Sequence, residues 1–73
     1  MIDLGNDYWE MTIDNDLQVQ YEYIDEHAQV PNKGTLQLVD NGPNGLYLIR
    51  TEGTGLLPFY VVQKLRGFGV RNV

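Results

Sequence analysis

The stretch Asp7-Tyr8-Trp9-Glu10-Met11-Thr12-Ile13-Asp14-Asn15-Asp16-Leu17-Gln18-Val19-Gln20-Tyr21-Glu22-Tyr23-Ile24 decides the fold class. Apolar residues fall at every second position on both sides of a polar triplet: Trp9, Met11 and Ile13 before it, Leu17, Val19, Tyr21 and Tyr23 after it. A period of two is the mark of half-buried strands, and Asp14-Asn15-Asp16 reads as the turn between them. With a three-residue loop, Ile13 stands opposite Leu17, Met11 opposite Val19 and Trp9 opposite Tyr21, so every apolar side chain lands on one face. A two-residue loop would set Ile13 against Gln18 and turn a whole apolar set outward. The loop needs a left-handed residue, expected at Asn15 or Asp16. The outer face then pairs Tyr8 with Glu22, Glu10 with Gln20 and Thr12 with Gln18.

Working outward, Asp25 to Gly34 is polar and punctuated by Pro31 and Gly34, which mark a connecting loop. Thr35–Asp40 and Leu46–Glu52 form a second hairpin around Asn41-Gly42-Pro43-Asn44, with Leu38 facing Leu46 or Tyr47 and both strands mostly buried. Leu56 to Arg66 reads as a helix. Pro58 suits its first turn, Lys64 and Arg66 suit the negative end of its dipole, and Gly67 suits the position after its last turn. Phe68 to Val73 reads as a closing strand. The expected fold is α+β: two antiparallel hairpins, one C-terminal helix and a closing strand in a single domain, residues 1–73. Were 56–66 extended instead, the same strands would make a small all-β barrel or roll.

A chain of 73 residues buries only about 60% of the surface exposed when unfolded, and chains this small commonly add a disulfide, a metal or a partner. There is no cysteine, which excludes disulfides and thiolate zinc sites, and His27 is the only histidine. No regularly spaced acids suggest a calcium loop. Self-association or a partner protein is therefore the expected further source of stability. Met1 to Asp7 lacks the basic start and apolar run of an export signal. The apolar run Leu56 to Val62, broken by Pro58, falls short of the roughly 18 residues needed to span a bilayer. These features point to a cytoplasmic chain without a membrane span.

Charge divides the chain. Residues 1–30 hold Asp3, Asp7, Glu10, Asp14, Asp16, Glu22, Asp25 and Glu26 with no Lys or Arg. Residues 31–73 hold Lys33, Arg50, Lys64, Arg66 and Arg71 against Asp40 and Glu52, leaving a net charge of −5 for the whole. Such a split speaks about partners and encounter rates.

Serine and cysteine are both absent, so the usual acyl-transfer nucleophiles are missing. His27 reads as a solvated loop residue. Glu10 and Glu22 share a face, but a flat hairpin offers no cleft to raise the pKa of one of them for acid-base work. Gly53-Thr54-Gly55 has the look of a phosphate loop but lacks its third glycine and any following Lys-Thr or Lys-Ser pair. These absences favour a non-enzyme without metal or cofactor.

The leading expectation is a small acidic protein-interaction domain: an inhibitor or modulator, of the kind phages and mobile elements carry, docked on a basic surface of a host nucleic-acid enzyme or protein. Its docking residues are Tyr8, Glu10, Asp14, Asp16, Glu22, Asp25 and Glu26, with Tyr8 the one exposed aromatic anchor of the hairpin. A second expectation is a self-assembling structural protein, a homo-oligomer whose acidic and basic halves meet. The third is a weak nucleic-acid or anion-binding module built on Lys64, Arg66 and Arg71. Three cations give only salt-sensitive affinity, and the N-terminal acids would repel the same phosphates.

Overall fold

A computed structural model of the chain describes residues 1–24, 32–53 and 57–73. Five strands form one sheet in sequence order, each antiparallel to the next: β1 (Ile2–Asp3), β2 (Trp9–Ile13), β3 (Gln18–Tyr23), β4 (Lys33–Asp40) and β5 (Leu46–Gly53). A short 3-10 turn at Gly42–Asn44 joins β4 to β5, and the one α-helix among the described residues, α1 (Phe59–Phe68), follows and lies on one face of the sheet. The α+β fold with its hairpins and C-terminal helix is as the alternation and the Pro-Gly punctuation require. No helix among the described residues is long and apolar enough to cross a membrane.

The core is the apolar parity of the strands made solid. Met11, Ile13, Val19, Tyr21, Leu36 and Leu38 point to the helix side and meet Val61, Leu65 and Val70, all nine buried. Each such side chain contributes roughly 1.5 to 3 kcal/mol of hydrophobic stabilisation. Gly34 stands opposite Tyr21, whose ring lies over it; a Cβ at Gly34 would come within 2.6 Å of the Tyr21 hydroxyl oxygen.

The first hairpin keeps its expected parity but not its expected register. Ile13 pairs with Val19, Met11 with Tyr21 and Trp9 with Tyr23, a shift of two residues from the Leu17, Val19 and Tyr21 partners read from the sequence. The cause is Asp14. Its backbone N–H donates to the Gln18 carbonyl, so Asp14 closes the ladder and the three-residue loop is Asn15 to Leu17. Its carboxylate accepts the N–H groups of Asp16 and Gln18, both at 2.9 Å. The left-handed residue is Leu17, at φ 60, in place of Asn15 or Asp16. That conformation costs a leucine about 1 kcal/mol, and packing of the side chain against the core offsets it. Gln37 ties this turn to β4: its side-chain amide donates to the carbonyls of Asp16 and Leu38 at 2.9 and 3.0 Å.

In the second hairpin Leu38 faces neither Leu46 nor Tyr47 but Leu48. The register then slips between Gln37 and Leu38, because Gln37 pairs with Arg50 and leaves Ile49 as the extra residue of a bulge. Ile49 is 63% exposed, and β5 from there to Gly53 is open to solvent, not buried as its composition suggested.

The helix starts three residues later than Leu56 and ends at Phe68, beyond Gly67. Pro58 is extended, at ψ 149, and so precedes the first turn. The terminator is Gly69, left-handed at φ 110, whose N–H donates to Leu65 and Arg66. Val70 N–H also reaches the Leu65 carbonyl, which completes a Schellman motif with a buried apolar residue after the glycine.

The closing strand is a single parallel bridge between Val70 and Leu46. Beyond it the Asn72 side chain donates to the Leu48 carbonyl and accepts the Leu48 N–H, at 2.8 and 2.7 Å. At the other edge β1 is an element the sequence reading did not anticipate. Ile2 pairs with Ile13 and Asp3 with Thr12. The turn that follows is held by Asn6, whose side-chain oxygen accepts the N–H groups of Tyr8 and Trp9.

Replacing Asp14 with Ala removes both turn hydrogen bonds and lowers stability by about 1 kcal/mol in urea denaturation, while Asp14→Asn keeps most of it. Burial also pushes the Tyr21 hydroxyl above its ordinary pKa of 10.0. The unfolded chain therefore ionises this phenol first. Stability from the neutral hydroxyl is complete below the unfolded pKa and is lost as pH climbs from there through the folded value. In Tyr21→Phe the loss of stability across that alkaline range is shallower than in the wild type, and an unchanged slope would refute the assignment.

Candidate functional site

With α1 covering one face of the sheet, the other face carries the polar members of each alternation, and Val39 pairs with Tyr47 at its end near the β4–β5 turn. Cross-strand pairing orders the polar members into rows. Glu10, Glu22 and Lys33 lie in one row, Thr12, Gln20, Thr35 and Glu52 in the next, and Gln18, Gln37 and Arg50 in a third. The first two rows border an open groove of about 420 Å³. Glu10 and Glu22, taken from the sequence as neighbours of Gln20 and Tyr8, are instead directly opposite one another. Both are exposed. Like charges set opposite across two strands destabilise the pair by roughly 0.2 to 1 kcal/mol; β1 to β3 carry no basic residue, and the one cation of this row is Lys33 of β4, opposite Glu22 on its other side.

The other expected docking residues are not gathered at this pair. Tyr8 is 62% exposed, whereas Trp9 and Tyr23 are partly and Tyr21 fully buried. Its carbonyl accepts the Ile24 N–H, so it sits across from Ile24 at the end of the hairpin and not across from Glu22. Asp14 and Asp16 lie at the opposite end, in the β2–β3 turn, about 13 Å along the strand from Glu10. The Asp14 carboxylate is already occupied by that turn. Asp25, Glu26 and His27 lie outside the described residues, as do Thr54 and Gly55 of the glycine-rich segment.

Lys64, Arg66 and Arg71 belong to the helix side of the molecule, and each has a partner in the fold. Lys64 Nζ stands 5.4 Å from the centre of the Tyr60 ring. Arg66 Nε donates to the Val73 carbonyl at 2.9 Å, and the Arg71 side chain lies over Gly45. Beneath them Tyr60 stacks near Trp9, with ring centres 6.3 Å apart, and its hydroxyl donates to the Leu4 carbonyl. Trp9 in turn meets Tyr23 at 4.9 Å.

Sequence reasoning missed the groove because it needs the β3–β4 register, which places Thr35 and Glu52 of the second hairpin beside Gln20 of the first. The outward members of each alternation were its only available signal. No three His, Asp or Glu side chains among the described residues come together to hold a metal ion.

No protein family, curated protein or solved structure compared with the chain matches it. What the site can do therefore follows from its chemistry. It presents carboxylates, amides and hydroxyls on an open sheet surface, with Arg50 paired to Glu52 at its margin. Such a surface accepts hydrogen bonds and cations, and neither Glu10 nor Glu22 is withdrawn from water as an acid–base pair would require.

Glu10→Lys turns the opposed pair into an attractive one. It should raise stability by roughly 0.2 to 1 kcal/mol in urea denaturation at low ionic strength, with the gain shrinking as salt is added. A loss of stability would mean that the two carboxylates do not repel one another in the fold.

Proposed function

We propose that the chain is a protein-interaction domain that sets the open face of its sheet against a basic surface of a partner and so inhibits or modulates it. The observation that carries this reading is the pairing of Glu10 with Glu22, both exposed, on the face that none of the described elements covers. Two carboxylates held opposite one another disfavour folding, and a cation brought from outside converts that repulsion into attraction. Asp3, at one end of the neighbouring row, extends the same sign of potential, while Glu52 at the other end is paired with Arg50. Electrostatic complementarity of this kind chiefly speeds encounter and selects the partner. Basic surfaces that normally hold nucleic acid are the natural counterpart, since carboxylates spaced along strands can stand where phosphates would. On this reading the protein is not a catalyst, and a cytoplasmic setting suits its lack of cysteine.

The test is affinity capture from host lysate with the wild type and with Glu10→Gln/Glu22→Gln, followed by purification of any captured protein. The expected partner is basic, binds the wild type alone with an affinity at least roughly tenfold above that for the variant, and is displaced by duplex DNA. Capture that is equal for both proteins and indifferent to DNA would overturn the proposal.

A further inference from the structure

The helix side of the molecule carries a second uncovered surface whose character is the reverse of the sheet face. Val61 and Leu65 are buried, which leaves Phe59, Gln63, Arg66 and Gly67 as the solvent stripe of α1 at spacings of three and four residues. Phe59 is 79% exposed, the most exposed aromatic side chain among the described residues. The described helix contains no acid, and Lys64 flanks the stripe. Across the sheet lies the groove bordered by Glu10, Glu22 and Glu52, with Lys33 as the cation among its lining residues, so that acids outnumber bases there.

We infer that these two surfaces fit one another in trans, so that the sheet face of one copy receives the helix stripe of a second copy. Phe59 is the anchor that enters the groove, and Lys64 and Arg66 are the cations that meet Glu10 and Glu22. Exposed aromatic side chains ringed by complementary charge are the usual centres of protein interfaces. The two surfaces lie on opposite sides of one sheet, so the contact is heterologous: each copy that joins still offers a free groove and a free helix. The assembly is therefore open-ended and concentration-dependent, and it occupies the same sheet face on which the proposed partner would dock.

The experiment uses the purified full chain in sedimentation velocity, over a range of concentrations at low and high salt. Average mass should rise with concentration at low salt, pass beyond that of a dimer, and fall toward the monomer as salt is raised. Glu10→Gln/Glu22→Gln removes one surface and Phe59→Ala/Lys64→Gln the other, all at exposed positions, with circular dichroism confirming that each variant is folded. Each variant alone should need about tenfold more protein to associate. Mixed, they retain one intact groove and one intact helix, and should form a heterodimer that grows no further. A wild type that stays monomeric at low salt, variants that associate as the wild type does, or a mixture that yields no heterodimer would each overturn the inference. Partner capture by a wild type that is monomeric would leave the proposed function standing alone, whereas assembly without any capture would leave only self-association.

Discussion

The described residues cover one side of the sheet and not the other. The single helix buries its Val61 and Leu65 against Met11, Ile13, Val19, Leu36 and Leu38, and no second layer remains among the described residues to shield the other face. Everything distinctive about the molecule follows from that shortage. The face without a layer is mostly polar, written in Glu, Gln, Thr, Lys and Arg, with the half-buried Val39–Tyr47 pair at one end. The strands must be held by turns and edges instead of by bulk. This is why so many of the local hydrogen bonds run from Asn6, Asp14 and Gln37 side chains to backbone.

Alternation alone carried much of this. The partition of residues 9–23 into an inner and an outer set holds in the structure, because a register shift of two residues leaves parity untouched. For the same reason parity could not reveal the shift itself. Whether Asp14 belongs to the loop or closes it depends on a carboxylate bonding two backbone N–H groups, and an apolar count is blind to that. The bulge at Ile49 is a further case: it inserts one residue into β5 and changes which positions face outward, so the apparently buried strand is half exposed. The helix was legible from Pro58 and its apolar spacing. Its end was misplaced because Gly67 and Gly69 are both glycines at plausible stopping points, and the difference lies in Val70, whose burial selects the later one.

The acidic half of the sequence was legible as a charge pattern and much less as a site. Linear proximity suggested one continuous acidic face running from Tyr8 to the residues after β3. In three dimensions the carboxylates separate into a turn-capping group at Asp14 and an exposed cross-strand pair at Glu10 and Glu22, while Glu52 arrives from a distant part of the chain. Charges that look equivalent in sequence thus have different work in the fold.

Asn72 carries a consequence for how the sheet ends. A primary amide can present an N–H donor and its carbonyl acceptor side by side, so this side chain satisfies both polar groups of Leu48 as a neighbouring strand would. A true sixth strand would have exposed a fresh row of backbone groups on its far side and moved the problem outward by one place. A side chain has no far side of that kind. At Leu48 the Asn72 side chain closes the edge without adding a strand, next to the short backbone bridge that Val70 makes with Leu46.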